Sequence, residues 1–171
     1  GRAFHGCGEE SYRFFLGIGQ RQRLIPGMDL LAERVAVDLP LLTGYKAALV
    51  IVGNQTVLGA GGGVCQTSTT MFRAALNAGL PILERTAHVY RVHYYEPPLG
   101  LDATVMAPYT DLVFKNDTPA YILIQTTVIE AKEQLIYEIF GTNDGRVVEV
   151  FDPVITNQTG YPAPRYQDDP S

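Results

Sequence analysis

The sequence predicts an α+β domain in which one central helix packs on a mostly antiparallel β-sheet. The chain has 171 residues, 46% of them hydrophobic and 18% charged, which suits one globular core. A helical pattern at Met71 to Ala78 follows a glycine run in the middle of the chain. Short runs rich in β-branched and aromatic residues come after it, separated by turn sequences. Helical patterns first and strand patterns afterwards are typical of an α+β fold.

Two helices are predicted in the N-terminal part of the domain, at about residues 9–40. Glu9 to Arg23 has an amphipathic pattern, although two glycines within it weaken the helix. The turn sequence Leu24-Ile25-Pro26-Gly27 ends that helix. Met28 to Val37 is predicted as a second short helix, which stops near Pro40.

The central part, from about residue 44, is predicted to begin with a hairpin. Ala47–Val52 is a continuous apolar run with the composition of a buried strand, and Thr56–Leu58 follows a turn as its partner. In the helix that follows, Gly79 stands where a helix-ending glycine belongs, before Pro81. The core face of this helix is predicted to consist of Met71, Phe72, Ala75 and Leu76.

Short strands are predicted for most of the remaining chain. They are Pro81–Glu84, His88–Tyr95, Ala103–Met106, Leu112–Lys115, Ala120–Ile129, Gln134–Phe140 and Val147–Phe151. The segment 152–171 is rich in Pro, Asn, Asp and Tyr and has no periodicity, so it is predicted to be an extended linker or arm. Residues 1–151 are therefore expected to form a single domain.

Charge and hydropathy exclude two classes of partner for these 171 residues. The net charge is −5 and the basic residues are scattered, which argues against nucleic acid because phosphate binding needs clustered Lys and Arg. The longest apolar runs are too short to span a membrane. The chain begins at Gly1-Arg2-Ala3 without a methionine, so it is expected to be a fragment. Any membrane anchor or export signal is then expected in segments outside it.

Cys65 is the leading candidate for chemistry. The glycine-rich stretch Gly59–Gly63 delivers it to the first turn of the predicted helix. Unpaired N–H groups and a partial positive charge at a helix N-terminus lower the pKa of a thiol and favour the thiolate. The alternative is a buried cysteine that acts only as a small hydrophobic residue. Cys65 could also pair with Cys7 in an oxidising compartment.

A reactive thiolate needs a base and a group that orients the base, and His88 and Asp102 are the candidates. The imidazole would take the thiol proton and the carboxylate would fix the imidazole's tautomer. Backbone N–H groups of Cys65 or Gln66 could stabilise an oxyanion at the open helix end. Substrate is expected to contact Gln66 and the glycines that precede the helix, Gly62 and Gly63.

Competing interpretations of these residues are structural. A lone histidine is more often a hydrogen-bonded structural residue, and Asp102 could simply cap a turn. Zinc binding by Cys65, His88 and His93 is disfavoured because the close Cys and His pairs of structural zinc sites are absent from the sequence. No Lys-Ser/Thr follows the glycines as in a nucleotide-binding P-loop. We therefore predict neither a metal nor a cofactor.

The order of Cys65, His88 and Asp102 is similar to that of transglutaminase-like and papain-like cysteine enzymes. The local sequence also resembles the core of that superfamily, at Gly63-Val64-Cys65-Gln66 and Gly100-Leu101-Asp102-Ala103-Thr104. Such enzymes usually place a large aromatic residue soon after the Cys or the His, where this sequence has Thr67, Ser68 and Val89. The resemblance implies a transglutaminase-like or papain-like core.

A more specific resemblance is to the VanW family. It lies in Gly44–Ala47, Gly61–Thr69, Glu84-Arg85 with His88, Leu101–Val105 and Phe114–Thr118. The resemblance implies a bacterial protein, exported or membrane-anchored in its full length, often joined to other envelope domains and associated with vancomycin resistance. It does not imply a known reaction.

Together these features suggest a cell-envelope enzyme that transfers acyl groups or cleaves peptides of peptidoglycan. Cys65 is expected to be the nucleophile, His88 the general base and Asp102 the orienting group. The rival hypothesis is a non-catalytic envelope module that binds peptidoglycan glycan or peptide. In that case, Cys65 and His88 would serve packing alone.

Overall fold

The computed structural model describes residues 11–14, 21–24, 26–27, 29–32, 47–52, 55–60, 63–106, 109–132 and 134–160. In chain order its elements are β1 (Ser11–Phe14), β2 (Arg21–Leu24), β3 (Asp29–Ala32), β4 (Ala47–Val52), β5 (Gln55–Ala60), α1 (Val64–Asn77), β6 (Ile82–Glu84), β7 (Leu112–Lys115), β8 (Ile122–Ile129) and β9 (Gln134–Gly141). Single turns of 3₁₀ helix occur at His93–Tyr95 and Glu130–Lys132. Among these residues no helix has the length and apolar character needed to cross a membrane.

The described strands pair into three sheets, and nearly all pairs are antiparallel. The first sheet has the order β1-β3-β7-β6, with a parallel pair between β1 and β3. The second has the order β2-β8-β9, and β4 and β5 form a hairpin. One helix together with mostly antiparallel strands is the α+β architecture that the sequence predicts.

Glycines mark both ends of α1. Gly63 is the N-cap with φ of 91°, and Gly79 follows the C-cap with φ of 66°. Both angles lie in the left-handed region that favours glycine. The N–H of Leu80 donates to the carbonyl of Ala75, and that of Gly79 donates to Leu76, each at 3.0 Å. This pair of bonds is a Schellman motif, so Gly79 ends the helix as predicted.

The hydrophobic core is formed by α1 and the strands β7, β8 and β9. The predicted face of α1 is confirmed, because Met71, Phe72 and Ala75 are buried and Leu76 packs against them partly buried. Residues of β8 alternate between buried and half-buried at its start, as in a strand with one face on the core. The strands contribute Leu112, Phe114, Ile122 and Ile124 to the core.

The two predicted N-terminal helices, Glu9–Arg23 and Met28–Val37, are wrong for the residues described there. β1 and β2 lie within the first stretch and β3 lies within the second. β2 pairs with β8, and β3 lies between β1 and β7. Pairing with strands that are distant in sequence therefore overrides a helical pattern that glycines already weaken.

The later strand predictions are confirmed in part. The hairpin and strands β6 to β9 closely match the predicted stretches. The predicted strand at His88–Tyr95 is wrong, because this segment bends and ends in a 3₁₀ turn. Ala103–Met106 makes only isolated bridges, and Val147–Phe151 is exposed and irregular. Residues 152–160 are also exposed and irregular, and the rest of the predicted linker lies outside the described residues.

Replacing Phe114 by Ala should destabilise the fold strongly. Phe114 is 0% exposed on β7 and belongs to the core, so truncation should lower the free energy of unfolding by about 3–5 kcal/mol. Urea unfolding measures this change. Tyr121→Ala removes an aromatic ring that is 60% exposed and should change the free energy by about 0.5 kcal/mol at most. Equal losses in the two variants would contradict this description of the core.

Candidate functional site

Cys65 is the second residue of α1 and lies directly beyond the left-handed Gly63. Its thiol is free, and the residue is half-buried. The N–H groups of Gln66 and Thr67 both donate to the carbonyl of Gly63, at 3.1 and 3.2 Å. Of the two predicted oxyanion donors, the N–H of Gln66 is therefore engaged within the turn. The N–H of Cys65 belongs to the first turn, where helix geometry supplies no partner.

The segment 103–105 is fastened to the first turns of α1. Ser68 Oγ donates to the carbonyl of Ala103 at 2.6 Å, and the Ala103 N–H donates to Thr69 Oγ1 at 3.1 Å. The Cys65 thiol donates to the carbonyl of Val105, with 3.5 Å between Sγ and the oxygen. These bonds bring the residues that follow Asp102 against the helix end that carries Cys65.

His88 and Asp102 form a close, largely buried pair. His88 Nδ1 lies 2.6 Å from Asp102 Oδ2, and the His88 backbone N–H donates to the same oxygen at 2.8 Å. The two side chains are only 10% and 12% exposed. An ionised carboxylate only accepts hydrogen bonds, so this contact places a proton on Nδ1 and leaves Nε2 for another partner.

Cys65 interacts with the same imidazole, and this interaction shifts the pKa of both groups. Burial raises the pKa of the Cys65 thiol, but interactions headed by that with the His88 side chain bring it below the usual value. The bond with Cys65 raises the pKa of His88; burial opposes this and the bond with Asp102 adds to it. Both shifts favour a thiolate beside an imidazolium.

Asp102 is held in its ionised form. Burial raises the pKa of this carboxyl, but the backbone N–H and ring of His88 and the charge of Arg85 lower it below its usual range. The guanidinium of Arg85 lies 3.7 Å from Asp102 Oδ1. A carboxylate that stays charged can keep the imidazole in one orientation and stabilise its protonated form.

Two arginines brace the backbone around Asp102. Arg85 donates through Nε to the carbonyl of Asp102 at 2.7 Å and through its terminal nitrogen to Gly100. Arg73, on α1, donates through Nε to the carbonyl of Leu101 at 2.7 Å. Arg85 also lies over the ring of Phe72, at 5.1 Å from its centre. Three successive carbonyls are thus fixed by guanidinium groups, which limits how far Asp102 can move.

A pair of aromatic rings extends away from the imidazole. The buried Tyr95 lies beside His88, with 5.5 Å between ring centres, and Tyr94 packs edge-on against Tyr95 at 4.6 Å. Burial and the neighbouring Tyr94 raise the pKa of Tyr95 above its usual value, so it stays neutral. Tyr94 itself is largely exposed, so an aromatic surface extends from the histidine to solvent.

The other predicted residues are distributed around the same helix end. Gly63 and Gln66 are exposed beside Cys65, whereas Gly62 lies outside the described residues, as does Cys7. His93 is exposed in the 3₁₀ turn. Within the described residues no group of three or more His, Cys, Asp and Glu side chains could hold a metal ion.

An open depression of about 590 Å³ lies at the opposite end of α1. It is lined by Gly79, Asp117 and the segment 144–149. Arg146 spans it, with ion pairs to Asp117 at 3.0 Å and Asp144 at 2.7 Å. Arg146 also donates to the carbonyl of Gly79, so this depression is the junction between the helix end and the irregular C-terminal segment.

Sequence reasoning missed the roles of Arg73, Arg85 and Tyr95 in this arrangement. Each acts through contacts that join separate parts of the chain, as Arg73 does over 28 residues to Leu101. An isolated arginine or tyrosine has no spacing pattern that would single it out. Arg85 did stand among the residues of the VanW resemblance, but nothing there indicated what it binds.

The comparison with protein families matches this chain to the model described as VanW like protein, over residues 24–140. The match covers more than half of the chain and all of the site residues described above. The chain therefore belongs to the VanW-like family.

Two relatives are similar in sequence to part of this chain. The Uncharacterized protein YoaR of Bacillus subtilis is 44% identical over 82 residues, which are 48% of this chain and 26% of that protein. The Vancomycin B-type resistance protein VanW of Enterococcus faecalis is 32% identical over 103 residues, which are 58% of this chain and 36% of that protein. The match thus spans about a quarter to a third of these relatives. No solved structure matches the chain significantly.

Removing the charge of Asp102 should alter stability in a pH-dependent way. Because the pKa of Asp102 is lower in the folded state, its stabilising contribution is complete above the unfolded value of about 3.9. The contribution is lost as the pH falls through the folded pKa. Asp102→Asn should therefore lower the free energy of unfolding by about 1–3 kcal/mol at neutral pH. The further loss of stability at acidic pH should be smaller in this variant than in the wild type.

Urea unfolding at pH values from about 7 down to about 3 measures this profile. Asp152→Asn is the matched control, because Asp152 is exposed and lies in the irregular C-terminal segment. The control should reproduce the wild-type profile. An Asp102→Asn variant with the stability and acid dependence of the wild type would refute the proposed bond between a charged Asp102 and His88.

Proposed function

We propose that this domain is a thiol-dependent acyl-transfer enzyme, a hydrolase or transferase, that acts on peptides of the bacterial cell wall. In this proposal Cys65 is the nucleophile, His88 the general base and Asp102 the group that orients the base. The chain order of the three residues also supports a transglutaminase-like or papain-like core.

The observation that carries the proposal is the position of the His88 ring between a thiol and a carboxylate. Nδ1 lies 2.6 Å from Asp102 Oδ2, and interaction with Cys65 raises the pKa of the same ring. Structural histidines need only one satisfied bond. A ring shared by a thiol of lowered pKa and a buried carboxylate has the connectivity that nucleophilic catalysis requires.

The chemistry would proceed by proton transfer and acyl exchange. Nε2 of His88 takes the proton of Cys65, and the thiolate attacks the carbonyl carbon of a peptide or amide bond. The carbonyl oxygen becomes an oxyanion, for which the N–H of Cys65 at the helix start is a donor. The oxyanion collapses, His88 returns its proton to the leaving amine, and a thioester remains on Cys65. Water or a second amine then attacks the thioester and releases the acyl group.

The name of one relative supports a proposal for the substrate class. One relative is named as a vancomycin resistance protein, which directs the proposal to the cell wall. We infer peptidoglycan peptide as the acyl donor and an exported or membrane-anchored location for the full-length protein. The exposed ring of Tyr94 next to the buried Tyr95 supports a surface for substrate at the histidine.

A non-catalytic envelope module is the second candidate, and one observation favours it. Cys65 is half-buried and its thiol donates to the carbonyl of Val105, as a purely structural cysteine would. Such a module would bind peptidoglycan glycan or peptide without turnover. It predicts that Cys65→Ser changes the unfolding midpoint more than any cell-wall activity.

Activation of Cys65 by His88 is testable through alkylation kinetics. The rate of iodoacetamide modification as a function of pH reports the thiol pKa, which should be below the usual value of about 8.5 in the wild type. His88→Ala removes the principal interaction that lowers it and should raise the pKa. His93→Ala is the matched control, because His93 is exposed on the same segment.

Peptidoglycan turnover in cells that carry each variant of the full-length protein completes the test. Cys65→Ala and His88→Ala should abolish the contribution of this protein, whereas His93→Ala should preserve it. An ordinary thiol pKa together with unchanged turnover in both site variants would rule out the enzyme and favour the binding module.

A further inference from the structure

The hydroxyl of Thr104 is buried without a hydrogen-bond partner, a costly arrangement in a protein interior. Its Oγ1 is one of two such threonine hydroxyls among the described residues, the other being that of Thr126 on β8. An unsatisfied buried hydroxyl is unfavourable, and in native proteins such a group calls for an explanation. Violations of this kind are expected mainly at functional or strained sites.

Thr104 is held firmly beside the helix end that carries Cys65. Its N–H donates to the carbonyl of Thr86 at 2.7 Å. Ala103, on one side, exchanges hydrogen bonds with Thr69 of α1, and Val105, on the other, accepts the thiol of Cys65 at 3.5 Å. Thr104 therefore stands between two residues bound to the first turns of α1, and its side chain lowers the pKa of the Cys65 thiol there.

In the resting structure the Thr104 hydroxyl makes no hydrogen bond. While Cys65 is protonated, its hydrogen is directed to Val105, and the neutral sulfur is only a weak acceptor. When the proton passes to Nε2 of His88, the sulfur becomes an anion and a much stronger acceptor. The Thr104 hydroxyl can then rotate to donate to it, since no other bond holds the hydroxyl in the resting structure.

We propose that Thr104 is a further catalytic residue, whose hydroxyl donates a hydrogen bond to the Cys65 thiolate formed when the thiol proton moves to His88. This inference rests on the proposed function. The bond exists only in the charged state, so it stabilises the nucleophile without stabilising the resting thiol. It also explains why a buried hydroxyl without a structural partner is present at this position.

The other groups that influence the thiol are left in place by a change at Thr104. They are His88 and the backbone at Val105, with Asp102 and Arg85 acting through the imidazole. Thr104→Val retains the branched shape and deletes only the hydroxyl. Thr104→Ser retains the hydroxyl and deletes only the methyl group.

The test measures the rate of iodoacetamide alkylation against pH together with the urea unfolding midpoint. Trypsin releases Cys65 in the peptide Ala47–Arg73 and Cys7 in the separate peptide Ala3–Arg13, so mass spectrometry follows each thiol individually. Thr104→Val should raise the Cys65 pKa by about one unit, which slows alkylation about tenfold at a pH well below it. Its unfolding midpoint should not fall, because the lost hydroxyl had no partner. Thr104→Ser should retain the wild-type pKa.

Thr126→Val is the control, since it deletes the other unpartnered buried hydroxyl on a strand that carries no site residue. It should leave the thiol pKa unchanged. Thr104→Ala provides a second variant without the hydroxyl if Thr104→Val does not fold.

The outcomes separate this inference from the proposed function. A Thr104 variant without the hydroxyl that keeps the wild-type thiol pKa overturns the role of Thr104, even where His88→Ala raises that pKa. A lower unfolding midpoint with an unchanged pKa shows that the hydroxyl is structural. A wild-type thiol with an ordinary pKa that His88→Ala does not alter overturns the proposed function, and the role of Thr104 with it.

Discussion

The arrangement of this domain depends on how the segment 100–105 satisfies its backbone hydrogen bonds without belonging to a regular strand. Buried carbonyl and N–H groups must find partners, and here side chains supply most of them. Arg73, Arg85, Ser68 and Cys65 donate to the carbonyls of Gly100, Leu101, Asp102, Ala103 and Val105. Because three of these donors are on α1, the segment is bound to the helix rather than to a neighbouring strand. The same bonds place the backbone at Asp102, and with it the bound His88, at the helix end that carries Cys65.

The position of Asp102 leads to a series of charge interactions between neighbouring side chains. Arg85 stabilises the anion of Asp102, Asp102 stabilises the imidazolium of His88, and His88 stabilises the thiolate of Cys65. Burial opposes the charged form of each of the last three groups, so each depends on its neighbour. Removing one member should therefore shift the titration of the others. Cys65 and His88 should titrate as a coupled pair, so that each apparent pKa describes the pair and not one residue.

Local signals in the sequence were enough for the helix that carries Cys65 and for its core. The glycines at both ends of α1 and the apolar spacing within it are short-range features, and the hairpin β4–β5 is equally local. The strands β2 and β3 could not be predicted in this way, because their partners β8 and β7 lie far along the chain. The segment around His88 has the β-branched and tyrosine content of a strand, yet it bends because its hydrogen bonds go to Asp102 instead of to a ladder.

The candidate site was predictable only as far as chemistry identifies residue types. A lone cysteine at a helix start, a histidine and an aspartate suggested Cys65, His88 and Asp102, and the structure brings these three together. The residues that support these three act through guanidinium and hydroxyl contacts. No spacing pattern in the sequence predicts such contacts. Arg85, for example, reaches Asp102 over 17 residues through a carbonyl oxygen, a contact that depends on the bend between them.

The proposed chemistry depends most on the interaction between Cys65 and His88, and an NMR titration of the His88 ring tests this interaction most directly. In the wild type the pKa of His88 should lie above its ordinary value of about 6.5. In Cys65→Ala it should fall, because the bond with the thiol is the largest contribution that raises it. A His88 ring that titrates at the ordinary value in the wild type, and at the same value in Cys65→Ala, would contradict the account.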